Sequence, residues 1–272
     1  MPTIPPGPPR PSENEPHRHR QIAESFGADP ELYDRTRPHY PVAMVEAIVT
    51  ASPGLDVVDV GCGTGISSRQ FQAAGCRVLG VEVDARMAAF ARKTGVEVEV
   101  SAFEAWDPGG RTFDAVVAGQ TWHWVDPVAG ATKAAQVLKP GGRLATFWYV
   151  AQPPAELADA FGAVYRRVLP EAPMVKSSMS PLEGYSVMFR KAADGIREAG
   201  GFGEPEEWRF DWEHSYTRDA WLEQVPTAGG LSRFPREKLA ELLADMGAAI
   251  DAVGGAFTMR YATVVVTAPR TT

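Results

Sequence analysis

The chain has 272 residues, 44% of them hydrophobic, a formal net charge of −7 and only two cysteines, Cys62 and Cys76. That length buries one sizeable core with an elaboration rather than two full domains. The acidic balance without a Lys/Arg run excludes the footprint of a nucleic-acid binder, the cysteines are too few for a disulfide framework or metal cluster, and no apolar run reaches the about 20 residues of a membrane helix.

Residues 1–19 hold seven prolines among polar and charged side chains, too little apolar surface to fold alone, and are expected to form a disordered tail. In residues 20–54 the pattern changes to a helical segment, a proline-marked bend and an amphipathic helix with Val42, Val45, Ile48 and Val49 on one face. The bend, Tyr33 to Pro41, gathers Arg35, Arg37, Tyr33, Tyr40 and His39 within nine residues. It reads either as a solvated, proline-stiffened arm or as an anchor for an anion.

Leu55 to Ile66, LDVVDVGCGTGI, is the stretch around which the chain is organised. Val57, Val58 and Val60 predict a buried parallel strand ending in Gly61, Gly63 and Gly65, which let bare backbone turn against a ligand. The helix after them aims its first N–H groups into that turn. The order G-x-G-x-G, with Asp59 two residues before the first glycine, differs from the G-x-G-x-x-G of dinucleotide enzymes. VVDVGCGTG resembles the first motif of the class I S-adenosylmethionine (SAM) dependent methyltransferases, where the glycine loop wraps the amino-acid end of the cofactor.

The next strand, CRVLGVEVD, ends at Glu82, 21 residues beyond Gly61, where a carboxylate can accept both ribose hydroxyls. Asp84 instead suits the cap of the following helix. A third strand, VEVEV, leads to Ala102 and Phe103, which in the methyltransferase pattern edge and cover an adenine ring; core packing is the rival reading for Phe103. FDAVVAG predicts a fourth strand, followed by Gln120, Trp122, His123 and Trp124 in a loop that faces the site. His123 is a base, a packing element or a cofactor contact. Helix end, LKPGG turn and fifth strand then complete the superfamily's downstream signature.

The resemblance implies an α/β fold, a doubly wound Rossmann-like seven-stranded sheet with helical substrate-cap insertions. Expected boundaries are a covering arm at 20–54, the SAM-binding core at 55–150, a cap insertion at 151–181, a core helix and sixth strand at 182–216, a helical cap insertion at 217–254 and a final strand at 255–268. Expected cofactor contacts are Tyr33, Asp59, Gly61, Cys62, Gly63, Gly65, Glu82, Val83, Ala102, Phe103, Gln120 and Trp122, with S-adenosylhomocysteine as product. Substrate contacts are expected at Arg37, Tyr40 and Trp148, and His123 is the candidate catalytic residue, a base if the acceptor is a hydroxyl or amine. No metal is expected.

The R-x-R-P element is similar to the arm of trans-aconitate methyltransferase-like enzymes. It implies a small-molecule acceptor and O-methylation of a carboxylic acid. A hydroxyl or amine of a secondary metabolite, a peptide or protein acceptor, and SAM binding without catalysis are the alternatives. The expected protein is cytoplasmic, a monomer or homodimer, with neither nucleic acid nor membrane as partner.

Overall fold

The computed structural model describes residues 25–171, 181–228, 230–231 and 234–271, so the expected tail at 1–19 lies outside the described residues. Seven strands form one sheet: β1 (Asp56–Val60), β2 (Arg77–Glu82), β3 (Glu97–Val100), β4 (Phe113–Gly119), β5 (Leu138–Gln152), β6 (Glu206–Thr217) and β7 (Ala256–Pro269). Their order is β3-β2-β1-β4-β5-β7-β6, with β1 to β5 parallel and β7 antiparallel to both β5 and β6. This is the doubly wound sheet the sequence predicts. The strand order reverses between β1 and β4, the place where such sheets open a crevice at their carboxyl ends.

Nine helices pack around the sheet among the described residues: α1 (Pro30–Thr36), α2 (Val42–Thr50), α3 (Ile66–Ala73), α4 (Ala85–Lys93), α5 (Pro127–Val137), α6 (Ala155–Val168), α7 (Pro181–Ala199), α8 (Arg218–Gln224) and α9 (Arg236–Ala252). Covered on both faces, β1 and β4 are nearly continuous runs of buried residues, which is why they read as apolar without alternation. On one face Trp122, Val125, Leu144, Trp148, Phe189 and Ile196 pack together; on the other, Met44, Ile48, Phe71, Val117 and Phe147 do so.

Three local features depart from expectation. Val42 is 66% exposed, and α2 buries Met44, Val45 and Ile48 instead, because Val42 opens the helix directly after Pro41. The Lys139-Pro140-Gly141-Gly142 turn is recruited into the start of β5. Gly141 N–H donates to the Arg270 carbonyl at 3.0 Å and Arg270 N–H to the Gly142 carbonyl at 2.7 Å, and the register with β4 slips between Phe113 and Ala115. Described residues from the two segments expected as separate insertions pack together. Leu157 and Phe161 of α6 share an apolar cluster with Val225, with Leu242, Met246 and Ile250 of α9, and with Phe257 of β7. No described helix is long and apolar enough to cross a membrane.

Candidate functional site

A cavity of about 340 Å³ opens at the carboxyl ends of β1, β2 and β4, bounded by Val60, Glu82 and Gly119 at the strand ends. Its first wall is the glycine turn. Gly61 has φ +60°, and a Cβ there would collide with the Thr121 side chain, whose Oγ1 donates to the Gly61 carbonyl at 3.0 Å. Gly63 has φ +57°, but a Cβ there would meet nothing within 4 Å: it would project into the open cradle. Thr64 Oγ1, also in this wall, is buried without a partner.

Glu82 closes the same wall. Its Oε2 accepts from Gly63 N–H at 2.8 Å and its Oε1 from Asp84 N–H at 2.8 Å. A carboxylate offers about four lone-pair sites, so both oxygens keep capacity for hydroxyl donors from a ligand. Burial raises the Glu82 pKa, against the pull of those backbone donors. Asp84 instead caps α4, accepting from Arg86 N–H at 2.9 Å. Further along, Val83, Ser101, Ala102 and Phe103 line the cavity. The donor geometry, the cradle open at Gly63 and the unpartnered Thr64 hydroxyl fit the amino-acid end, ribose and adenine of SAM.

The second wall is made of side chains from distant segments. Arg37 caps the end of α1 and lies 4.8 Å over the Tyr33 ring, while its Nη2 donates to the Thr227 carbonyl at 2.6 Å. The neighbouring Tyr149 favours the charged form of Arg37, whose Nε is buried without a partner. Among the described residues Arg37 has no carboxylate partner and is the one cationic side chain of the lining. Tyr40 is held in place because Gln70 grips its backbone from both sides, at 3.0 and 2.8 Å. Tyr149 and Tyr185 complete this wall. Burial pushes the Tyr33 phenol up to about 12 and raises Tyr40 and Tyr185, so all three stay protonated at neutral pH.

Gln120 joins the two walls. It is the one described non-glycine residue with positive φ, +54°, a conformation that costs about 1–2 kcal/mol. Its amide donates to the Tyr149 carbonyl at 3.1 Å, which holds the strained turn between the strands.

Of the residues expected to touch ligands, Tyr33, Arg37, Tyr40, Gly61, Cys62, Gly63, Glu82, Val83, Ala102, Phe103, Gln120 and His123 line the cavity. Four do not. Asp59 lies fully buried behind the glycine turn, where its Oδ2 accepts from Ser67 at 2.7 Å and Ser68 at 2.6 Å, tying β1 to α3. Gly65 is the left-handed cap of α3 and packs toward Val96 and Ala91. Trp122 is core, 2% exposed, because the short turn Trp122–Trp124 points it inward and leaves His123 and Trp124 at the cavity. Trp148 is fully buried among Val125, Phe189 and Ile196.

Successive strand residues face opposite sides of a sheet, so the cavity receives Tyr149, one residue on. Strand parity was the signal for it. Arg35, next to these residues in sequence, is exposed and pairs with Glu223 at 2.5 Å, while His39 and His214 are exposed and outside the lining.

The comparisons agree with this geometry. Residues 58–146 match a family described as a methyltransferase domain. An uncharacterised methyltransferase of Mycobacterium tuberculosis is 32% identical over 134 residues, 47% of this chain and 54% of the relative, so the match spans about half of that protein's length. A demethylmenaquinone methyltransferase of Tropheryma whipplei is 30% identical over 172 residues, 58% of this chain and 71% of the relative. Among solved structures, a candidate type II methyltransferase of Anaeromyxobacter dehalogenans shares the fold at a TM-score of 0.64, with 21% identity over 86% of this chain and 98% of that one. The chain belongs to the class I SAM-dependent methyltransferases.

Proposed function

We propose that the protein transfers the methyl group of SAM to a small-molecule carboxylic acid. Bound SAM supplies an electrophilic methyl on a sulfonium. Gly61 to Thr64 and Glu82 would hold its amino-acid end and ribose, and Phe103 would cover the adenine. The chain's own work is then to orient the acceptor, exclude water and leave the attacking oxygen in line.

One observation carries the acceptor class: Arg37 is a largely enclosed cation at the cavity, the one cationic side chain among the described lining residues, with no carboxylate to neutralise it. Enclosed charges are costly unless paired, and a guanidinium matches a planar carboxylate with two parallel donors. The other side chains of this wall, Tyr33, Tyr40, Tyr149, Tyr185 and Gln120, are neutral and favour a compact organic acid over a peptide groove.

The test is an S-adenosylhomocysteine-release assay with the purified chain against matched panels of carboxylic acids and phenols. Turnover confined to acids, giving methyl esters by mass spectrometry, is the expected result. Turnover of phenols or amines with none of acids would overturn the acceptor class.

A further inference from the structure

Two residues assigned separate roles from the sequence turn out to be bonded to each other. Trp148 Nε1–H donates to His123 Nδ1 at 3.2 Å. An indole nitrogen can only donate, so Nδ1 must present its lone pair, and a neutral imidazole in that arrangement carries its proton on Nε2. Trp148 cannot swing away. It is fully buried, with the Phe189 ring 5.4 Å from its own.

His123 lines the cavity, and its ring is tilted against Trp124 at 4.7 Å. Nε2 has no partner among the described residues, yet is not one of the sealed, unpartnered polar atoms, which leaves it open to the cavity. The ionisable groups of the lining, besides His123 itself, are Arg37, Cys62, Glu82, Glu104 and the four tyrosines Tyr33, Tyr40, Tyr149 and Tyr185. None of them sets the imidazole's charge state. Burial alone does, and it pushes the pKa down to about 4.

We propose that His123 serves the acceptor as a neutral hydrogen-bond donor through Nε2–H, locked in that tautomer by Trp148, and takes up no proton. This rests on the methyltransferase reading above and deepens it. A ring whose Nδ1 lone pair is held by the indole and whose Nε2 already carries hydrogen has no site left for a proton from a hydroxyl. The acceptor it suits arrives ionised. A carboxylate oxygen forms the bond to the methyl carbon as the carbon–sulfur bond breaks, and the electron pair of that bond passes to sulfur and neutralises the sulfonium. The products are a methyl ester and S-adenosylhomocysteine, and no proton moves. His123 Nε2–H and Arg37 then act as two donors for one carboxylate, which replaces the expected base by a positioning residue.

The deciding experiment needs no acceptor: long-range 1H–15N correlation of the histidine rings in the uniformly labelled full chain, assigned by the signal missing from His123→Gln. The expected pattern is that of a neutral Nε2–H ring, unchanged from about pH 5.5 to 8.5. An Nδ1–H pattern, or titration within that range, would overturn the proposal even if the protein proves to be a methyltransferase. Trp148→Phe, where it folds, should release the tautomer and give a mixed pattern.

With an acceptor in hand, His123→Gln keeps an amide N–H close to the position of Nε2 and should retain kcat/KM within about tenfold, with a flat pH profile. His123→Phe should lose about 10–100-fold, the usual worth of a hydrogen bond to a charged group. A pH limb in the wild type that vanishes in His123→Gln would mark a base and reject the donor role.

Discussion

The two walls of the cavity are built on different principles. The cofactor wall is organised on backbone and comes from one local region of the chain, Gly61 to Phe103: the turn Gly61–Thr64 and the tip of β2 at Glu82, 19 residues after Gly63, are joined by one hydrogen bond of 2.8 Å, and Ala102 and Phe103 follow. The acceptor wall is entirely side chain. Arg37 and Tyr40 come from the N-terminal arm, Gln120 and His123 from the loop after β4, Tyr149 from β5 and Tyr185 from α7. A backbone wall tolerates little change in sequence but fixes its ligand tightly. A side-chain wall can be rewritten residue by residue without disturbing the glycine turn.

That contrast orders the effects of substitution. The largest is expected from Gly63→Val, whose added atoms enter the open cradle at φ +57°. SAM binding should fall below detection by calorimetry while the far-UV spectrum stays native, at a strain of about 1–2 kcal/mol visible as a small drop in Tm. Affinity like the wild type's would mean that the cradle holds something else.

Next comes Glu82→Ala, which removes the acceptor of Gly63 N–H and the carboxylate proposed to hold the ribose. A weakening of SAM binding by about 10–100-fold is expected from loss of charged hydrogen bonds, read in the same titration. On the other wall, Arg37→Lys keeps the charge but loses the planar fork. The acceptor KM should rise about tenfold with SAM affinity nearly unchanged. The reverse split, SAM affinity lost and acceptor KM kept, would move Arg37 to the cofactor's carboxylate.

The smallest functional effect is expected behind the cofactor wall. Asp59→Asn should leave SAM affinity close to wild type, because Asp59 touches Ser67 and Ser68 rather than the cavity. It should alter the pH dependence of stability instead. Burial raises the Asp59 pKa from 3.8 to about 6, opposed by the two serine hydroxyls. A carboxyl raised on folding contributes stability that is fully present below about pH 4 and lost as the pH rises through about 6. The stability of the wild type relative to Asp59→Asn should therefore fall by up to about 3 kcal/mol between pH 4 and 7.5, measured by urea unfolding. A SAM-affinity loss matching that of Glu82→Ala would place Asp59 in the binding wall after all.

The sheet and the cofactor wall were legible in the sequence for the same reason: both are local. Val57 to Gly65 encodes strand, turn and helix start within one short run, and Glu82 follows at a fixed crossover distance. The acceptor wall was only partly legible, since its members meet through tertiary packing. Trp148 and Trp122 drew attention as large aromatics, yet strand parity and the turn at Trp122–Trp124 send both into the core. Tyr149 was open to a parity argument along β5, whereas Tyr185 carries no motif and only the packing of α7 brings it to the cavity. Arg37 and Arg35 look alike in sequence. Only the docking of α1 near α8 separates an enclosed cation from an exposed ion pair.

The most direct test of the division into two walls is a crystal structure of the protein with S-adenosylhomocysteine. The expected result is the homocysteine carboxylate and amine at Gly61–Thr64, the ribose hydroxyls on Glu82, adenine against Phe103, and the sulfur facing a space enclosed by Arg37, His123, Tyr149 and Tyr185. A sulfur turned toward bulk solvent, or a product bound with its adenosine among the tyrosines, would contradict it.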